Sequence, residues 1–459
     1  MKLTRRELSA GLLAPLAAGA ASPAAAPRED TPARRRAKKI FKEVAASLYA
    51  WDLVDEGCEP IMDTLKETAS VNSLYLVALM HHEKRPLTDY YFPHNPNRKT
   101  YFPEDSVAYW QPHADSYRDS RIKPLVSERE EFKKKDFLDQ LVKSARKAGW
   151  KTGAELSHTV LDKKRAAEQY SSVLQRDIWG KPASQLICPN NPDAAAYLIA
   201  LFSDLVKNYD VDFVQTCLRP FATGDVRGPR AGNPMERVLA TVTGTCFCDS
   251  CVTAAKADGF DLKAAQRAMM PLADALTNGG NLAGRHQLAL LRGSNTSATA
   301  LLIQHPEIFD WHKFRVASMS RMFARVHDAL VKIKPTIDVR LNAFIYDYWE
   351  LSGIEFASLR PHLGSIRSSN YDEQEGRMEY LEHKRQFLLG VRAAAGDDIL
   401  FLSSIGIRPN ATPELVRKGV VISSECGADG LSLGHYDGAP LKLLEAIGDG
   451  LRDADVRVG

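Results

Sequence analysis

The chain has 459 residues, 44% of them hydrophobic and 25% charged, with a formal net charge of +3. These values suit a globular protein with a large core and exclude a disordered chain. The balanced charge gives no sign of a nucleic-acid or polyanion partner.

The first 26 residues read as a targeting segment. Thr4-Arg5-Arg6-Glu7-Leu8 precedes a modestly apolar run over residues 12–21, and Ala24-Ala25-Ala26 supplies small residues for cleavage. That is the order of a signal peptide, and the Arg5-Arg6 pair looks like the twin-arginine signal, which a receptor reads and which does not anchor the protein. The apolar run is too short and too rich in Ala and Gly to span a bilayer, and no other segment reaches spanning length. The expectation is a periplasmic or secreted protein without membrane insertion, whose charge falls to +1 once Lys2, Arg5, Arg6 and Glu7 are removed. Residues 27–45 read as a charged linker, with Arg34-Arg35-Arg36-Ala37-Lys38-Lys39 as a solvated run.

Over residues 46–452, eight short apolar segments alternate with helical patterns. This is the layout of an α/β fold of the (β/α)8 TIM-barrel type, whose active site is built at the strand ends. In chain order the strands are expected at 47–53, 71–80, 151–159, 212–218, 338–345, 363–369, 399–407 and 430–434. A helical pattern at 61–68 follows the first strand. After strand two comes a long polar and aromatic loop, residues 81–128. Its clusters Tyr90-Tyr91-Phe92, Tyr101-Phe102 and Tyr109-Trp110 suit either stacking on sugar rings or a small core of the loop's own. Helices are expected at 136–148 and at 194–208, the latter capped by Asp193. A mainly helical insertion follows strand four.

Strand ends carry the candidate site residues. They are Trp51 and Asp52 after strand one, Glu155 and His158 at strand three, Arg219 after strand four and Asn342 on strand five. Tyr371, Asp372 and Glu373 follow strand six, and His435 and Asp437 follow strand eight. In His81-His82-Glu83 adjacent side chains point oppositely, so at most one histidine faces the site, and His82 is the candidate. Ala154 and Leu156 suit the helix-facing side of strand three, which turns Glu155 to the barrel interior. A carboxyl there needs water or a partner, such as Arg340 or Arg367.

Cys246-Phe247-Cys248-Asp249-Ser250-Cys251 brings three sulfurs together in the insertion. A structural zinc would take a fourth ligand from Cys217, Cys188 or a histidine. In an oxidising compartment a disulfide also fits, and seven cysteines leave at least one unpaired within a monomer. Either way the cluster reads as a staple for the loop.

Tyr49-Ala50-Trp51-Asp52, Tyr209-Asp210-Val211-Asp212, the Cys-Phe-Cys-x-x-Cys run and Gly427-Ala428-Asp429-Gly430-Leu431-Ser432 together resemble exported glycoside-hydrolase-like barrel proteins. The resemblance implies a (β/α)8 fold and action on a carbohydrate or glycoside. Such proteins often carry an aspartate at the end of strand four, where this chain has Gln215-Thr216-Cys217. Glycoside hydrolysis uses two carboxyls, and Glu155 and Asp372 are the expected pair. Asp52, Trp51, His82, His158, Arg219, Asn342, Tyr371, His435 and Asp437 would then bind substrate, with no cofactor required. Two other readings stand beside it. One is a metal-dependent sugar isomerase, epimerase or lyase, with Glu155, His158, Asp372 and His435 on a divalent ion. The other is a barrel that binds a glycan without cleaving it.

Overall fold

Short, largely apolar runs of four to seven residues, most of them buried on both faces, form eight strands, and helices of 3.6-residue periodicity cover their outer side. The computed structural model describes residues 39–80, 104–157, 159–217, 220–224, 234–277, 279–293, 298–343, 349–408 and 410–459. The strands are β1 (Glu43–Leu48), β2 (Ser73–Leu79), β3 (Lys151–Leu156), β4 (Phe213–Cys217), β5 (Asp338–Ala343), β6 (Ser365–Ser368), β7 (Leu400–Ile405) and β8 (Gly430–His435). Each pairs in parallel with the next, and β8 pairs with β1, so the ring is closed. The last α-helix before each next strand is α1 (Cys58–Ala69), α2 (Phe137–Lys147), α3 (Pro192–Asn208), α4 (Pro306–Ile333), α5 (Phe356–Leu359), α6 (Tyr380–Ala395) and α7 (Pro413–Glu425), with α8 (Leu441–Asp453) after β8; among the described residues the insertion after β4 adds five more helices before α4. The fold is a (β/α)8 TIM barrel, as expected.

α2 shows how sequence sets these helices. Phe137, Leu138, Leu141, Val142 and Ala145 recur at three- and four-residue spacing and are buried. The Asp136 carboxylate accepts from the Asp139 N–H at 3.0 Å, and Arg146 and Lys147 sit at the C-terminal end of the macrodipole. At α3 the cap differs from expectation. Asn191, not Asp193, accepts from the N–H groups of residues 193 and 194, at 3.0 and 3.2 Å, because Pro192 already occupies the first turn.

The largest shift from the expected boundaries is at the start. β1 runs over Glu43–Leu48, starting within the segment read as linker and covering only the first residues expected for strand one, and a six-residue helix, Ala50–Asp55, takes the rest of that place. Lys39–Phe41 also pairs in parallel with Val456–Val458, so the ordered unit extends beyond residues 46–452 at both ends. The targeting segment and most of the linker, residues 1–38, lie outside the described residues.

Inside the ring the side chains stack in layers. At the lower end Arg340 donates to both oxygens of Glu43, at 2.8 and 3.0 Å, and to Asp338 at 3.2 Å. Above it Ala45, Tyr75, Phe213 and Leu402 form an apolar plug distinct from the main core, and the Arg340 guanidinium lies 3.8 Å from the Phe213 ring centre. Gly153 is required here, since a Cβ would stand 2.2 Å from that ring. The plug leaves the upper end of the barrel for polar side chains.

Of the long loop after β2, residues 81–103, with His82 and two of the aromatic clusters, lie outside the described residues. The rest packs down. Val107–Ala108 pairs antiparallel with the end of β2, and Asp204 of α3 accepts from Trp110 Nε1 (3.0 Å), Tyr117 Oη (3.0 Å) and Ser116 Oγ (3.2 Å). Tyr109 and Trp110 are buried, so they form the loop's own core and do not present a stacking surface.

Candidate active site

Strand alternation decides which side chains enter the barrel mouth. On β3, Gly153 and Glu155 point inward. On β4, Phe213 and Gln215 do so, and Gln215 Nε2 donates to the Glu155 carboxylate. On β6 the inward series is Ser365, Arg367 and Ser369, continued by Tyr371 beyond the strand. Arg367 is buried and donates to Ser432 Oγ (2.7 Å), Asn342 Oδ1 (2.9 Å), Ser369 Oγ (3.3 Å) and the Tyr371 hydroxyl. Ser369 also donates to Asn342 Oδ1. Tyr75 rises from the plug, its hydroxyl 3.1 Å from Ser432 Oγ. One guanidinium thus fixes Asn342, Tyr371 and two serines in a single network under the mouth.

Burial raises the pKa of Glu155, and the Arg367 charge and the Gln215 hydrogen bond only partly oppose it. Tyr49, just past β1, is also pushed up by burial. After burial, the charges of Asp437, Arg408 and Glu155 act on it, in that order. Its ring stacks on Trp51 at 4.3 Å and lies 4.8 Å from the His435 ring. His435 Nδ1 is 2.9 Å from Ser47 Oγ, which fixes the imidazole orientation.

Several expected roles change. Asp372 belongs to the opposite alternation series, with Ser368 and Asn370. Its carboxylate accepts from Asn370 Nδ2 at 2.9 Å and lies 2.8 Å from His383 Nδ1 in the first turn of α6. It is therefore engaged with the first turn of α6, whereas Glu155 lies inside the ring beside Gln215. Asp52 caps the short helix, accepting from the Tyr49 N–H at 2.8 Å. Trp51 is fully buried and braces Tyr49, so it offers substrate no surface. Asn342 lies on β5, Tyr371 just past β6, and His435 and Asp437 at and just past the end of β8. His158 and Arg219 lie outside the described residues. Tyr49 and Arg408 were missed as site residues, although Tyr49 opens the Tyr-Ala-Trp-Asp motif. Asp372→Asn is expected to cost about 1–2 kcal/mol of stability and to leave turnover near that of the parent. Lost turnover with intact folding would return Asp372 to the reaction.

The cysteine run finds its fourth member in Cys188, from the excursion after β3. The sulfurs of Cys188, Cys246, Cys248 and Cys251 all lie within 4.8 Å of one another, with Cys188 at 3.4 Å from Cys251 and 3.5 Å from Cys248. Four thiolates around zinc stand about 3.8 Å apart at ordinary Zn–S lengths, so the donor set fits such an ion. The Arg176 N–H (3.3 Å) and Asn190 Nδ2 (3.4 Å) donate to Cys246 and Cys251 sulfurs, as second-layer groups do to metal-bound thiolates. Among the described residues this is the only cluster of three or more potential metal ligands. Glu155, Asp372 and His435 do not converge on one ion, since Asp372 turns away.

No protein-family model and no curated protein sequence matches the chain. Solved structures are similar in fold. An α-L-fucosidase, isoenzyme 2 from Paenibacillus thiaminolyticus, superposes with a TM-score of 0.51 at 16% identity, covering 91% of this chain and 49% of that one. A β-galactosidase from Bacillus circulans sp. alkalophilus gives 0.51 at 14% identity, covering 90% and 56%. A catalytic mutant of a GH42 β-galactosidase from G. stearothermophilus gives 0.51 at 12%, covering 90% and 57%. The chain spans about half the length of these proteins. It shares the barrel fold of glycoside hydrolases, and among the described residues no helix is long and apolar enough to cross a membrane.

Proposed function

We propose that the chain cleaves glycosidic bonds at the upper mouth of the barrel, with Glu155 as proton donor and Asp437 as the second carboxyl. The observation that carries this reading is a buried, inward-facing carboxyl whose proton is retained above the usual carboxylate range. A general acid must hold its proton until the leaving oxygen needs it. Asp437 would activate water or attack the anomeric carbon, the two tasks open to the partner carboxyl in glycoside cleavage. Asn342, Tyr371 and His435 would bind sugar hydroxyls, with Arg367 holding the first two in place.

The glycoside-hydrolase barrels that resemble this chain support the substrate class. Export by the twin-arginine route, giving a periplasmic or secreted enzyme, belongs to the same proposal, as does a structural zinc at the four cysteines. The test is a panel of aryl glycosides and oligosaccharides offered to the purified protein and to Glu155→Gln and Asp437→Asn. Turnover lost in both variants supports the pair. Full activity in either removes that residue from the reaction, and sugar binding without turnover in the parent would favour a non-catalytic glycan-binding barrel.

A further inference from the structure

Beside the cysteine cluster lies a guanidinium for which the described residues supply no carboxylate. Arg315 of α4 is completely buried. Among the described residues its Nε and Nη1 have no hydrogen-bond partner, and Nη2 makes a single long contact, 3.4 Å, to the Ala222 carbonyl. Its guanidinium stacks on Trp311 at 4.5 Å and Phe221 at 5.2 Å. It sits against the run that carries the cysteines: the Ala222 carbonyl that Nη2 approaches also accepts from the N–H of Thr245, next to Cys246, at 2.9 Å, and Trp311 stacks in turn on Phe247, between Cys246 and Cys248, at 5.4 Å. A buried cation is retained only where an anion offsets its lost hydration. Thiols and disulfides are neutral and cannot do so, whereas thiolates can.

We propose that Arg315 is the built-in counter-charge of a tetrathiolate metal site, which makes the occupant of Cys188, Cys246, Cys248 and Cys251 a divalent thiophilic cation rather than disulfides. Binding the cation releases one proton from each of the four thiols, so the centre carries two negative charges. Arg315 offsets one of them inside the protein. The inference rests on the zinc reading above and adds to it a residue that contacts no metal. It also explains a buried guanidinium whose hydrogen-bonding capacity is largely unused: its partner is a diffuse sulfur charge rather than a directional oxygen. Without the ion the same arginine is an uncompensated buried charge, so it should stabilise the metal-loaded protein and burden the metal-free one.

The experiment strips the full-length protein with a chelator and titrates Zn2+ against a chromophoric competitor, for the parent, Arg315→Met and Arg315→Lys. Co2+ serves as a second probe, because cobalt–thiolate absorption reports the ligands directly. Arg315→Met is expected to weaken Zn2+ binding by about tenfold or more, equivalent to about 1.4 kcal/mol. Its metal-free melting temperature should equal or exceed that of the metal-free parent, while Arg315→Lys keeps most of the affinity. Unchanged Zn2+ affinity in Arg315→Met, with cobalt–thiolate bands intact, would overturn the counter-charge and leave the metal site standing. No metal uptake by the parent, with the four cysteines titrating as disulfides, would overturn the metal site and Arg315's role together. If Arg315→Met does not fold, Arg315→Gln gives the same comparison, since it too removes the charge.

Discussion

Glu155→Gln is expected to cut glycoside turnover by a factor on the order of 100 or more, the scale of lost acid–base assistance, while the protein folds normally. The same change should act on stability with a sign that a purely structural carboxyl would not give. Burial raises the folded-state pKa of Glu155, so the folded protein holds this proton to higher pH than the unfolded chain does. The resulting stabilisation is complete below the unfolded value of about 4.3 and is lost as pH rises through the raised folded value. Near neutrality, ionising Glu155 therefore weighs against the fold. Gln carries no such burden and can keep its contacts with Gln215 by rotating an amide. Melting curves should coincide for parent and variant in acid and separate towards neutral pH, with the variant more stable. In the parent, the alkaline limb of the pH–rate profile should follow the same raised pKa. A variant that is less stable near neutrality, or that retains turnover, would deny Glu155 the part of a proton donor.

Glu373→Gln is expected to be among the most destabilising single changes in the barrel, at about 3–5 kcal/mol. Glu373 and Lys384 are both fully buried, with Nζ 2.9 Å from Oε1. Lys384 also donates to the Ser404 carbonyl at 2.6 Å, and Glu373 accepts from the Gly406 N–H at 3.0 Å. The pair therefore joins α6 to the segments leaving β6 and β7, close beneath Tyr371. α7 comes near enough that a Cβ on Gly419 would meet Glu373 at 2.2 Å, so the site has no room for a compensating water. Losing the carboxylate leaves an ammonium with carbonyls alone. Denaturant midpoints should show the loss, and replacing both residues by Met should recover much of it, because the uncompensated charge is then gone. A loss below about 1 kcal/mol, the range of exposed pairs, would mean that water reaches Lys384.

The architecture of this chain is legible in its residues alone. Eight apolar segments separated by helical patterns admit few arrangements, and period-two alternation around Gly153, Ala154 and Leu156 turned Glu155 inward, as it stands. Where periodicity was interrupted, tertiary contacts decided. Residues 50–55 are apolar enough to read as strand but form a helix, because the Asp52 carboxylate caps the Tyr49 N–H and Trp51 finds a pocket against Tyr109 and Phe132. Asp372 reads as a strand-end carboxylate in sequence, yet alternation carried one residue past Tyr371 puts it on His383, eleven positions away. Cys188 was one of two cysteines offered, beside a histidine, as the fourth ligand, and only the packing of the excursion after β3 against the insertion selected it. Arg315 gave no sequence signal at all. Its meaning lies in which groups surround a buried charge, and local pattern does not encode that, since those neighbours come from segments up to 94 residues away along the chain (from Phe221 to Arg315).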